Sequence, residues 1–149
     1  MEDFDEAVAR FRRVYETLFD LLGNYPVDLR ETSGACGVWS PRETVAHLSG
    51  WLAEAQRRYS QFDDHISGNM DYDLDAFNAE SVAARSYYGW NSTIAELRGL
   101  VQDLIHRAEA IPHERRAADL RYREWLVALA QDCTLHEGQL TTFAQTYTG

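Results

Sequence analysis

Near the C-terminal end the sequence reads DCTLHEGQL, residues 132–140, which places Asp132 and His136 four positions apart in a segment of helical periodicity. Positions i and i+4 stack on one face of a helix, so a carboxylate and an imidazole there reach each other or one shared ion. An open catalytic metal site takes three protein ligands and keeps a position for water or substrate. The third candidate is His47, at the edge of the apolar stripe of an earlier helix, about 100° from the centre of that stripe and one turn before Trp51. Such a placement suits a side chain pointing into a cleft between helices, where bundles build their cofactor sites. A hydrogen-bonded pair that satisfies its own polar groups accounts for the same spacing. From the residues alone, both readings stand.

The other chemically able side chains carry less. Cys133, three before His136, fits packing better than ligation. His65, His106 and His113 read as exposed, and Trp39, Trp51, Trp90 and Trp125 read as core or helix-junction anchors. No phosphate loop, nucleophile elbow or zinc ribbon is present in the sequence.

These residues need elements to hold them, and the pattern is helical throughout. Phe4, Val8, Phe11, Tyr15, Leu18 and Leu22 step by three and four, and Gly23, Asn24 and Pro26 supply a stop. In WSPRETVAHLSGW, Ser40 can cap, Pro41 suits the first helical position and Glu43 completes a capping box. Val45, Leu48, Leu52, Ala55, Tyr59 and Phe62 continue that helix to about His65. Turn formers at 67–73 interrupt the pattern, and Asp71 or Asp73 can cap a shorter helix holding Leu74, Phe77 and Val82. Ile94, Leu97, Val101, Leu104, Ala108 and Ile111 form a further stripe that Pro112 stops, and HERRAADLR reads as a polar connection. In the last helix Trp125, Leu129, Asp132, His136, Leu140, Phe143 and Tyr147 fall within about 80° of one another, with His136 near the middle. The expectation is all-α: an antiparallel four-helix bundle with an additional short helix, spanning 1–149 as one domain.

Composition narrows the partners. Twenty-four acids against fourteen bases give a net charge of -10, and the arginines at 57, 58, 115, 116, 121 and 123 are dispersed among acids. That balance argues against nucleic acid and anionic lipid. No apolar run approaches the roughly 20 residues of a membrane span, and the acidic start has no signal-peptide core. Cys36 and Cys133 suit free thiols in a reducing compartment. The expectation is a cytoplasmic protein acting on a small molecule.

GVWSPRETVAHLSGW, followed by DLDAFNAE and a closing LHEGQL, resembles the DinB-like superfamily of metal-binding four-helix bundles, particularly its ClbS/DfsB-type branch. The likeness runs from Phe4 to about Phe143. It implies a homodimer, and a divalent ion (zinc, nickel, iron or manganese) held by a histidine in the second helix and an HxxxH pair in the last. His47 and His136 match the outer members, whereas Asp132 stands where the pattern has histidine. Aspartate is itself a ligand, and two histidines with one carboxylate occur at zinc and non-haem iron sites. The opposite reading is that Asp132 is too short and the site has lost its metal. Glu137 and Gln139 are candidates to orient a ligand, with Trp51 beside them in the pocket. The resemblance implies a hydrolase or thiol transferase that activates a water or a low-molecular-weight thiol, or, with a degenerate site, a metal-free binding or dimeric interaction protein.

Overall fold

A computed structural model describes residues 3–67 and 71–148; part of the turn expected at 67–73 lies outside the described residues. Six helices account for the architecture: α1 (Phe4–Gly23), α2 (Pro41–Asp63), α3 (Leu74–Ala84), α4 (Trp90–Glu109), α5 (His113–Ala118) and α6 (Arg121–Thr148). No helix among the described residues is long and apolar enough to cross a membrane.

The helix starts follow local chemistry. Asp3 caps α1 by accepting from the Glu6 N–H at 2.8 Å. At α2 both halves of the capping box form: Ser40 Oγ accepts from the Glu43 N–H at 3.1 Å and Glu43 Oε1 accepts from the Ser40 N–H at 3.0 Å, with Pro41 in the first turn. Asp73, of the two candidates, caps α3. The helix α2 ends two residues before His65, which adopts φ +59°. The Ile66 N–H then reaches Gln61 O and the His65 N–H reaches Phe62 O, the paired bonds of a Schellman stop.

The four long helices close a ring in which α1 touches α6 and α4, and α2 touches α4 and α6. Contacts at both ends give their directions. His47 meets His136 while Tyr59 meets Tyr122, so α2 and α6 run antiparallel. Arg12 meets Glu109 while Phe19 meets Arg98, so α1 and α4 do too. The short α3 carries the chain back along α2, and α4 therefore descends beside α2 in the same direction. The apolar stripes of α1, α2, α4 and α6 turn inward; Phe11, Leu18, Leu52, Leu97, Leu104 and Leu126 are fully buried. Tyr147, counted with the α6 stripe, is 60% exposed in the last turn of the helix.

The segment read as a polar connection contains α5. It buries no residue, so no apolar period marks it, but Pro112 precedes its first turn, Glu114 lies in that turn and Arg115 and Arg116 lie in the last. That order complements the helix dipole.

The helix α3 sits close on α2 because Gly50 has no side chain: a Cβ there would lie 2.2 Å from Ser81 Oγ and 2.4 Å from Ser81 Cβ. Gly50→Ala is expected to destabilise the protein by about 1–3 kcal/mol through overpacking. Ser81→Gly in the same chain should restore most of it. Urea melts of the three variants check this, and an unchanged midpoint for Gly50→Ala would mean that the helices are not in such contact.

Candidate metal centre

The capping box fixes where α2 begins, and His47 follows in its second turn, 4% exposed, on the seam with α6. The loop before α2 folds over it. Gly37, at φ +56°, allows the tight turn in which the Trp39 carbonyl accepts from the N–H groups of Gly34, Ala35 and Cys36. The Trp39 ring then lies on the His47 imidazole, centroids 5.1 Å apart.

From the other side, α6 is set in register by long-range bonds. The Tyr59 hydroxyl donates to Tyr122 O at 2.6 Å, the Tyr122 hydroxyl to Asp63 Oδ1 at 2.7 Å, and the Tyr25 hydroxyl to Leu140 O at 2.8 Å. Asp119 Oδ1 accepts from the Arg121 N–H where the helix begins. In that register Asp132 and His136 stand opposite His47.

Three donor groups converge there. His136 Nε2 lies 3.1 Å from Asp132 Oδ1 and 3.1 Å from His47 Nε2, and His47 Nε2 lies 3.3 Å from Asp132 Oδ2. Asp132 thus reaches both imidazoles. Donor atoms bound to one ion at about 2.0–2.1 Å with tetrahedral angles stand about 3.3 Å apart, and one donor atom from each of the three residues lies within 4.8 Å of the other two. Two imidazole nitrogens at 3.1 Å either share a proton in one N–H···N hydrogen bond or both turn a lone pair towards a cation. His47, Asp132 and His136 can hold a metal ion.

The electrostatics fit either occupant. Burial pushes the Asp132 carboxyl up, but hydrogen bonds and charge from His136 and His47 outweigh it and hold the group well below the ordinary carboxylate range. Burial pulls His136 down, but the hydrogen bond and charge of Asp132, with Gln139, raise it above its usual value.

The side chain of Gln139, one turn after His136, does what an orienting residue must. Its Oε1 lies 2.7 Å from His136 Nδ1, an acceptor that favours a proton on Nδ1 and leaves Nε2 to donate to Asp132 or, with a cation bound, to turn its lone pair to the centre. Gln139→Leu is expected to weaken zinc binding by about 10-fold, within the range for lost orienting partners. Gln139→Glu, which keeps an acceptor, should not. Competition titrations against a chromophoric chelator measure both, and equal affinity for the leucine variant would exclude this role. His47 Nδ1 is buried without a hydrogen-bond partner among the described residues. Glu137 turns along α6 instead, where its Oε1 accepts from the Thr141 hydroxyl at 3.2 Å. The thiol of Cys133 faces α1, with Sγ 3.6 Å from Val14 O. His65, His106 and His113 are exposed.

A cavity of about 480 Å³ opens from His47 and Asp132. Trp51 and Trp125 wall it, ring centroids 6.2 Å apart, so these two tryptophans face the cavity while Trp90 pins a helix junction against Tyr25 and Arg30. Asn78 on α3, which no sequence signal singles out, accepts the Trp51 indole N–H at 2.8 Å. A second cleft, of about 380 Å³ between α1 and α4, lies apart from the three donors.

No family model matches the chain, and no curated protein does either. Solved structures share its fold. A protein from Streptococcus pneumoniae superposes with a TM-score of 0.79 at 12% identity, over 99% of this chain and 93% of its own. An uncharacterised protein from Clostridium difficile 630 gives 0.80 at 11%, over 100% and 99%. One from Escherichia coli UTI89 gives 0.78 at 13%, over 98% and 95%. At these identities the likeness is one of fold.

Proposed function

We propose that this chain is a metal-dependent enzyme of the DinB-like type, with a divalent ion held by His47, Asp132 and His136. The observation that carries the reading is the convergence of two imidazole Nε2 atoms and one carboxylate within 3.1–3.3 Å at the inner end of a cavity. When bound, a divalent ion supplies the Lewis acidity that makes a water or thiol nucleophilic at neutral pH. The protein's own residues do the rest. Gln139 fixes the His136 tautomer, Trp39 covers His47, and the indoles of Trp51 and Trp125 keep the reacting end of a small molecule away from bulk water. Asp132 adds a negative charge that a third histidine would not, and would lower the net positive charge of a site holding a divalent ion.

Elemental analysis of protein purified without chelators or affinity metals tests this. About one divalent ion per chain is expected, directly or after reconstitution with zinc, nickel, iron or manganese. A content well below that, unchanged by reconstitution, would sink the reading.

One observation favours a second reading, a metal-free binding protein. Asp132 and the two imidazoles lie 3.1–3.3 Å from one another, within hydrogen-bond reach, so the three side chains can satisfy one another without an ion. The same elemental analysis separates the two.

A further inference from the structure

The cavity is a slot rather than a bowl. Arg121, Trp125, Ala128 and Asp132 all line it, and at successive offsets of four, three and four residues they fall within about 60° of one another on α6. Eleven residues at 1.5 Å each separate the ends of that stripe by about 16 Å. One end is therefore the His47–Asp132–His136 centre, the other is the guanidinium of Arg121, and the stretch between is mainly indole and aliphatic surface, with the Asn78 amide beside Trp51. The Trp51 N–H is already spent on Asn78, so the middle offers a ligand contact without a donor from that ring.

Arg121 is prepared rather than merely present. Asp119 holds it through Nε at 2.9 Å and Nη2 at 2.6 Å, and its face lies over the Phe62 ring at 4.1 Å. That fork leaves Nη1 outside the Asp119 pair, and a guanidinium fixed on two sides loses little freedom when it binds a further acceptor. Glu124, exposed at the same rim, is the opposing charge.

We infer that the slot takes an elongated small molecule with an apolar, aromatic-sized body and a terminal carboxylate. The carboxylate docks on Arg121 and the reacting group lies at the histidine–aspartate end. This deepens the metal-dependent reading and rests on it for the identity of the reacting end, but the carboxylate subsite is separable.

Two titrations on the full chain test it. In zinc-loaded protein, aryl hydroxamates carrying a carboxylate, a carboxamide or an ammonium about 10 Å from the hydroxamate are compared by calorimetry, that length being what remains of the slot once the side chains are counted. The carboxylate should bind about fivefold more tightly than the amide, as a charge-assisted bond at a half-exposed site gives. Arg121→Gln should erase the difference and Arg121→Lys should retain part of it. In metal-free protein, phenylalkyl compounds with the same three end groups and no hydroxamate are followed by tryptophan fluorescence, and the same order is expected. Equal binding of all three end groups, or preference for the ammonium, overturns the subsite, the latter by giving control of the rim to Glu124. Hydroxamates that fail to bind, beside a carboxylate preference that persists without metal, would overturn the metal reading and leave the subsite supported.

Discussion

Asp132→Ala is expected to lower zinc affinity by more than about 100-fold, beyond the 10–100-fold lost when a residue that only orients a ligand is removed. Asp132→His should retain tight binding. The carboxylate is the one donor that reaches both histidines, with Oδ1 at 3.1 Å from His136 and Oδ2 at 3.3 Å from His47. Without it, two imidazoles on different helices remain, and two ligands seldom hold a divalent ion against water. A histidine at this position restores three donors and has room to do so, because the Asp132 side chain is 30% exposed and borders the cavity. The competing account makes the opposite forecast. If Asp132 exists to satisfy the two imidazoles, its removal costs stability and leaves metal affinity where it was. Chelator competition and urea melts on wild type, Asp132→Ala and Asp132→His distinguish the two, and equal affinity in wild type and the alanine variant removes Asp132 from the ligand set.

How much of this site the sequence discloses depends on how local each signal is. The i, i+4 pair Asp132 and His136 and the capping box that positions His47 are near neighbours in the chain, and both read directly. His47 sits at the edge of an apolar stripe, and its burial against α6 depends on the packing of two helices 89 positions apart along the chain. The periodicity indicated a cleft there and the resemblance proposed the partner. Gln139 is only three residues from His136, yet helical spacing does not say which neighbour takes a ring nitrogen. The Asn78 bond to Trp51 spans 27 residues and a turn, and no local rule reaches it. In α5 every side chain stays at least partly exposed, so a method that reads burial from period has nothing to read. For Arg58, burial is what the sequence leaves out. Its charge counts as one of several dispersed among acids, whereas in the fold it is 4% exposed and held by Glu54, Tyr72 and Gln61.

That buried pair gives the largest expected stability effect: Glu54→Ala should destabilise the protein by about 3 kcal/mol, the low end of the range for removing one partner of a buried ion pair. The side chains of Glu54 and Arg58 are 8% and 5% exposed, and Glu54 Oε2 accepts from Arg58 Nε at 3.2 Å, from Arg57 Nη2 at 2.7 Å and from the Tyr72 hydroxyl at 2.5 Å. Removing the carboxylate leaves the Arg58 guanidinium buried with Tyr72 and Gln61, which is why the low end applies. Burial pushes the Glu54 carboxyl up, but the bonds from Arg57 and Tyr72 and the charges of Arg57 and Arg58 outweigh it and hold it below the ordinary value of 4.5. A carboxyl depressed on folding contributes stability that is fully present above pH 4.5 and is lost as the pH falls through the depressed value. The gap between wild type and Glu54→Ala should therefore be widest near neutral pH and narrow below 4.5. Replacing the pair together, Glu54→Leu with Arg58→Leu, should recover much of the loss, because no charge is then left buried. The effect also reaches the cavity. The Tyr72 hydroxyl ties the entry to α3 onto α2 through these two side chains, and α3 supplies Leu74 and Asn78 to the cavity wall. In Glu54→Ala, amide hydrogens of α3 should exchange faster through local opening, whereas those of α1 and α6 should speed up only by as much as global stability is lost. A loss under about 1 kcal/mol at pH 7, or one that does not shrink in acid, would show that the pair stabilises neither the bundle nor the wall of its cavity.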